Sequence, residues 1–321
     1  MFKRVFSNAL KIEKTKSPKS MPPLESLVFG QTFSDHMFIV EFDKEWKSPR
    51  IIPYQPLQLD PSCSVFHYAT ECFEGMKAYK DKSNKIRLFR PDMNMKRLNS
   101  SAQRLALPCI NENELLECIK QLCKIDSKFI PNQQGYSLYI RPTLIGTSPS
   151  LGVSASSKAT LFVICSPVGP YFKEGFKAIS LYATTKYARA WKGGSGAYKI
   201  GANYSPTIVP QMLAQSKGHS QVLWLVNQDE LSEVGTMNIF IYWKNKHTGI
   251  KELVTPPLDD GTILPGVTRD TILHLSKQHN INARQCKITM QDIIDNQSNV
   301  ILIHVDYRNV WCWYCLYCMS H

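Results

Sequence analysis

The stretch GGSGAYKIGANYSP, residues 193–206, sets Lys199 among glycines at 193, 194, 196 and 201. Glycines this dense let a backbone take positive φ and approach a ligand closely. A lysine in such a loop can be a solvated surface cation, a phosphate contact or an amine nucleophile. A nucleoside-triphosphate loop needs Gly directly before the lysine and Ser or Thr directly after it. Tyr198 and Ile200 stand there instead, so that reading falls.

Outward from the loop come Tyr204 and then Glu233, the latter within SEVGTMN. An amine, a phenol and a carboxylate are the set that pyridoxal phosphate uses. The amine attaches to the aldehyde, and the carboxylate keeps the ring nitrogen protonated so that the ring accepts electrons. The phenol sits beside the ring oxygen.

The rest of the chain frames this set. Its 321 residues allow two domains, and 43% hydrophobic with 20% charged residues is a globular composition. No apolar run reaches the roughly 18 residues of a membrane-spanning helix. The net charge of +12 comes from scattered Lys and Arg, six of them within the first 19 positions. That pattern speaks to solubility rather than to nucleic acid. The ten cysteines read as free thiols, and the dispersed ones as small buried hydrophobes.

Residues 86–90, 136–146, 159–169, 178–183 and 221–226 read as strands, and LSEVGTMNIFIYW (231–243) ends in a β-prone run. A helix is predicted from Glu114 to Ile125 behind an Asn113 cap, and another from Arg90-Pro91 with Met95, Leu98 and Ala102 on one face. Further helices are predicted after residue 206, at 268–279 and at 288–295, with a kink at Pro210. The class is α+β or mixed α/β. The expected divisions are an arm at 1–26, a small domain at 27–172, a linker at 173–185, a cofactor-binding domain at 186–292 and an aberrant tail at 293–321.

With GGSGAYKIGANYSP, the segments LSEVGTMNIFIYW, TPPLDDGTILPGVTRD, FEGMKAY, RLFRPDMNMKR and YIRPTLIG resemble the branched-chain amino acid aminotransferases, animal type, from about Leu27 to at least Asp292. The resemblance implies a two-domain, fold-type IV, D-amino acid aminotransferase-like structure, its C-terminal part incomplete here. It implies pyridoxal 5′-phosphate, ping-pong transamination of leucine, isoleucine and valine with 2-oxoglutarate, and a homodimer. The partners expected are amino acids and 2-oxo acids, with neither nucleic acid nor membrane. Lys199 is then the catalytic amine that shuttles a proton, Glu233 faces the ring nitrogen and Tyr204 the phenolic oxygen. Arg97 and the backbone of Gly266, Val267 and Thr268 hold the phosphate, and Thr236 lines the cofactor face. Phe29, Tyr68, Phe73, Tyr139 and Tyr171 wall the side-chain slot beside Arg141, and Val153 reaches into the partner subunit. The sequence departs from the family at Ala197-Tyr198 and at Ala202. Another fold-type IV activity, on D-amino acids or aminodeoxychorismate, stays open. So does a chain that only dimerises with full-length ones, or one that never accumulates.

Both ends need separate readings. The basic, acid-poor N-terminus fits a mitochondrial presequence or a cytosolic arm equally. Near the C-terminus, Cys312, Cys315, Cys318 and His321 have metal-like spacing. However, permitted codons for Arg308–His321, read one base later, spell Glu-Met-Phe-Gly-Ala-Gly-Thr-Ala-Cys-Ile-Val-Cys-Pro. This resembles the family's substrate-carboxylate loop, so the tail reads as an out-of-frame translation and no metal is expected.

Overall fold

The computed structural model describes residues 9–170, 179–246 and 248–296, with the backbone of 301–306 and 309–313. The chain divides into two compact units. One is Met1–Lys173 with Lys199–Gly201; the other is Glu174–Tyr198 with Ala202–His321. Lys199–Gly201 thus group with the first unit, although the chain on either side of them belongs to the second.

The first unit runs β1 (Lys11–Ile12), β2 (His36–Asp43), β3 (Glu45–Trp46), β4 (Arg50–Pro53), α1 (Ser64–Tyr68), β5 (Glu71–Phe73), β6 (Met76–Lys80) and β7 (Ile86–Leu88). Helices α2 (Pro91–Arg104) and α3 (Glu112–Ile125) follow, then β8 (Ser137–Gly146) and β9 (Lys158–Val168). Among the described residues they form one sheet in the order β1-β4-β2-β9-β8-β6-β7, with β3 on β2 and β5 on β8. Its spine is the antiparallel pair β8 and β9, in register from Ser137 opposite Val168 to Gly146 opposite Ala159. Both strands fall in the β-branched runs expected to form them.

Helix α2 starts at Pro91, whose missing N–H costs nothing in a first turn. It buries Met95, Leu98 and Ala102, as its spacing predicts. Helix α3 starts two residues earlier than expected. Asn111, not Asn113, caps it, accepting the Glu114 N–H at 3.1 Å. Glu112 then joins the first turn, where the helix dipole favours an anion. Five of the dispersed cysteines are buried free thiols; Cys109 is exposed and Cys286 half-buried. Part of the segment 1–26 is built into this sheet. Strand β1 pairs in parallel with β4, the Thr15 N–H donates to His36 Nε2 at 2.9 Å and the Lys19 N–H to Asp35 Oδ1 at 2.9 Å.

The second unit runs β10 (Leu181–Thr184), α4 (Ile208–Ser216), β11 (Gln221–Val226), β12 (Glu230–Val234), β13 (Met237–Lys244), β14 (Lys251–Thr255), α5 (Val267–Gln278), β15 (Ala283–Gln285), α6 (Met290–Asp295), β16 (Ile301–Asp306) and β17 (Asn309–Trp313). The sheet order is β10-β11-β12-β13-β14-β15, with β16 on β13 and β17 on β16. The run LSEVGTMNIFIYW therefore folds back on itself, with Val234 opposite Met237 across a Gly235-Thr236 turn. Gly235 has φ +55°, and a Cβ on it would come within 2.2 Å of Gln221 Oε1. That turn requires glycine. Leu223, Val234, Ile239, Ile241, Val254, Ile288 and Ile293 fill the core beside it. The expected kink at Pro210 has no backbone hydrogen bond to break. Pro210 lies in the first turn of α4, where N–H groups have no intrahelical acceptor. Among the described residues no helix is long and apolar enough to cross a membrane.

Candidate active site

Within the first unit, Lys199 is 5% exposed. Its N–H donates to Ser101 Oγ on α2 at 2.9 Å, and its carbonyl accepts the Phe73 N–H at 3.0 Å. Both sides of the peptide are pinned, so the side chain leaves from a fixed point. Its Nζ lies 4.7 Å from the centre of the Phe73 ring, a cation–π distance. Gly201 is required here, because a Cβ on it would stand 1.8 Å from Glu71 Oε1.

Phe73 begins a run of contacts through the expected slot residues. The Arg141 guanidinium lies over the Phe73 ring at 4.5 Å and over the Tyr139 ring at 5.2 Å. It also donates to Tyr139 Oη from Nε at 3.0 Å and from Nη2 at 2.8 Å. Phe29 packs on Tyr139 with ring centroids 5.0 Å apart. The structure thus brings Phe29, Phe73, Tyr139, Arg141 and Lys199 together. Tyr68 donates to the Leu151 carbonyl and tethers the loop that carries Val153, which is 84% exposed. Tyr171 lies outside the described residues, as do the side chains of Cys312, Cys315, Cys318 and His321.

Arg97 is also positioned. Its Nε and Nη2 donate to the two oxygens of Glu74 at 2.7 and 2.9 Å, and Asn94 Nδ2 adds a bond to Glu74 Oε2 at 2.8 Å. Glu74 is fully buried and Arg97 9% exposed. A planar guanidinium held edge-on by a carboxylate has little freedom left.

In the second unit, Glu233 is 2% exposed. Its Oε2 pairs with Arg189 Nη2 at 2.7 Å, and its Oε1 accepts Asn238 Nδ2 at 3.0 Å and the Leu264 N–H at 3.1 Å. Asn238 also donates to the Leu264 carbonyl at 2.9 Å, and Arg189 Nη1 to the Thr262 carbonyl at 3.1 Å. The carboxylate is thereby tied to the turn that starts α5. Gly266 is the N-cap of that helix, and a Cβ there would come within 1.9 Å of Asn238 Oδ1. Gly266, Val267 and the half-buried Thr268 thus open a twelve-residue helix, whose first N–H groups suit a phosphate. Thr236 occupies the turn three residues past Glu233. Half-buried Tyr204 stands just before a short 3-10 turn, and Asn203 behind it donates to the carbonyls of Ser195 and Tyr198 at 2.7 and 2.8 Å.

These residues fit pyridoxal phosphate in chemistry. Each unit supplies buried polar groups with fixed orientation, and no side chain caps the start of α5. Sequence reading missed Arg189, Asn238, Glu74 and Ser101. Arg189, Glu74 and Ser101 act on residues far along the chain, and Asn238 on one five residues away; FEGMKAY carried the signal for Glu74 and SEVGTMN that for Asn238.

The amino-transferase class IV family matches residues 71–303. A branched-chain-amino-acid aminotransferase of Dictyostelium discoideum is 59% identical over 84% of this chain and 72% of its own. The cytosolic branched-chain-amino-acid aminotransferase of Saccharomyces cerevisiae is 54% identical over 85% and 73%, and the mitochondrial one 51% identical over 88% and 74%. Relatives of both compartments therefore resemble this chain. Among solved structures, the branched-chain aminotransferase from Thermoproteus uzoniensis with norvaline superposes with TM-score 0.72 at 21% identity, covering 86% of each chain. The branched-chain amino acid aminotransferase from Thermobaculum terrenum in its PLP form gives 0.71 at 17% identity over 88% and 85%. The enzyme from Escherichia coli gives 0.68 at 21% over 87% and 84%. Their folds agree with the two sheets seen here. A buried lysine pinned at both peptide groups, a carboxylate held by two donors and a guanidinium, and identities above half over most of the sequence lead to one conclusion: this chain belongs to the class IV aminotransferases, in the branched-chain-amino-acid aminotransferase family.

Proposed function

We propose that this chain transfers amino groups between leucine, isoleucine or valine and 2-oxoglutarate, as a homodimer that uses pyridoxal 5′-phosphate. When bound, the cofactor supplies an aldehyde that accepts the amino group and a ring that takes up electrons from the substrate Cα. Lys199 Nζ, over the Phe73 ring, would hold that aldehyde and move the proton at the substrate Cα. Glu233, oriented by Arg189, Asn238 and the Leu264 N–H, would face the ring nitrogen. Tyr204 serves the phenolic oxygen. Arg97 and the N–H groups of Gly266, Val267 and Thr268 bind the phosphate, with Glu74 setting the guanidinium plane. Thr236 would line the cofactor face. Phe29, Tyr68, Phe73, Tyr139 and Tyr171 exclude water from an apolar side chain, and Arg141 receives the distal carboxylate of glutamate. The exposed Val153 loop supports the homodimer.

The observation that carries the reading is the Lys199 environment: a buried amine, fixed main chain and an aromatic face. Borohydride reduction of the loaded protein followed by peptide mapping is expected to place the pyridoxyl group on Lys199. Label on any other lysine sinks the assignment.

A further inference from the structure

Residues 199–201 are grafted onto the first unit's sheet by very little. Ile200 pairs antiparallel with Cys72 of β5 in a single isolated bridge, and the Phe73 N–H donates to the Lys199 carbonyl. One bridge fixes the lysine's peptide along one edge only. Its N–H leaves that edge and crosses to α2, where Ser101 Oγ accepts it at 2.9 Å. Ser101 is 0% exposed, so the bond forms away from water. Ser101 lies four residues after Arg97, which puts both on one face of α2, about 6 Å apart along its axis. Asn94, Arg97 and Ser101 are all buried on this helix. A single element therefore carries both the cation read as the phosphate holder and the oxygen that anchors the amine's main chain.

We propose that Ser101 is a positioning residue for Lys199, and that α2 sets the spacing between the amine and the phosphate. With the phosphate held at Arg97, the aldehyde of the same rigid molecule arrives at one fixed distance from it. The hydrogen bond to Ser101 keeps Nζ at that distance. The bond that benefits forms between Nζ and the aldehyde carbon; the aldehyde oxygen leaves as water with two hydrogens from the amine. No oxidant or reductant is needed. Misplacing a reacting group by about 1 Å can cost on the order of 10² in such a step. The proposal rests on Lys199 being the amine and Arg97 a phosphate contact.

The test compares two cofactor forms, with no turnover required. Pyridoxamine 5′-phosphate has the same ring and phosphate with an amine in place of the aldehyde, so its affinity reports every contact except the bond to Nζ. Affinity for it is read by calorimetry, and that for pyridoxal 5′-phosphate by the visible absorbance of the new carbon–nitrogen double bond. In Ser101→Ala the ratio of pyridoxal to pyridoxamine phosphate affinity is expected to fall roughly tenfold, the scale of one buried hydrogen bond. Ser101→Cys keeps a weaker acceptor in the same place and should lose about threefold. Ala102→Gly loosens the same helix without touching Oγ and should leave the ratio at the native value. A native ratio in both Ser101 variants overturns the proposal, as does an equal fall in Ala102→Gly. Should circular dichroism show Ser101→Ala unfolded, Ser101→Cys decides alone, and a native ratio there overturns it. Borohydride trapping of the native chain's cofactor on another lysine overturns the assignment of Lys199 beneath it instead.

Discussion

Glu233 accepts from two neutral donors and pairs with one guanidinium while almost fully removed from water. Burying a lone carboxylate is expensive, so Arg189 makes an ionised Glu233 tolerable at this site. Removing one partner of such a pair leaves the other uncompensated. Arg189→Met is expected to lower stability by about 3 kcal/mol, read from urea denaturation. Arg189→Met with Glu233→Gln should lose less than the sum of the single changes, because the orphaned charge is gone. Additive losses would mean the two side chains do not depend on each other. This dependence also explains what could be read in advance. Lys199 and Glu233 stand in motifs with their own local grammar, glycines in one case and SEVGTMN in the other. Asn238 closes that same motif, whereas Arg189 sits in ordinary surroundings and gains importance only because folding brings it to Glu233.

At the scale of elements, Glu252 on β14 ties its neighbours together. It accepts from Trp243 Nε1 on β13 at 2.8 Å, from Asn245 Nδ2 at 2.9 Å and from both Nε and Nη2 of Arg284 on β15. The Arg284 guanidinium beside it, helped by Asn245 and Trp243 against the cost of burial, holds its carboxyl at about 2, below the ordinary 4.5. A folded-state value below the unfolded one gives stability that is complete above about pH 4.5 and lost as pH falls through about 2. Allowing for the exposed Arg284, the contribution is about 2 kcal/mol. Glu252→Gln should therefore be less stable at neutral pH, with a flatter stability profile between pH 5 and 2 than the native chain. A parallel profile would place the acid sensitivity elsewhere. Strand β15 was invisible in sequence for a related reason. Its three residues, Ala283–Gln285, have no apolar alternation, and the pairing with β14 and the Arg284–Glu252 bond define it. Long alternating runs such as those of β8 and β9 need no such help, and their positions were legible. The Asn111 cap was ambiguous because two asparagines offer the same oxygen, and only the fold selects between them.

For the molecule as a whole, the transition to the tail is informative. The family match runs to residue 303, eleven positions past the 292 at which the cofactor-binding domain was expected to end. Strand β16 pairs antiparallel with β13 from Tyr242 opposite Ile301 to Asn238 opposite Val305. The backbone of residues 301–305 therefore follows the second sheet. Beyond it the expected loop would bring backbone N–H groups to the substrate carboxylate, and losing one preorganised donor of that kind costs on the order of 10²–10³ in rate. A chain continued in the alternate frame from Arg308 is accordingly expected to exceed the 321-residue chain by about that factor with leucine and 2-oxoglutarate. Both retain Lys199, Glu233, Tyr204 and Arg97, so cofactor binding should differ far less than turnover, and measuring the two side by side separates a missing substrate contact from a failure to fold. Equal turnover would show that the carboxylate contact is supplied before residue 308 and that the frame reading has no functional consequence.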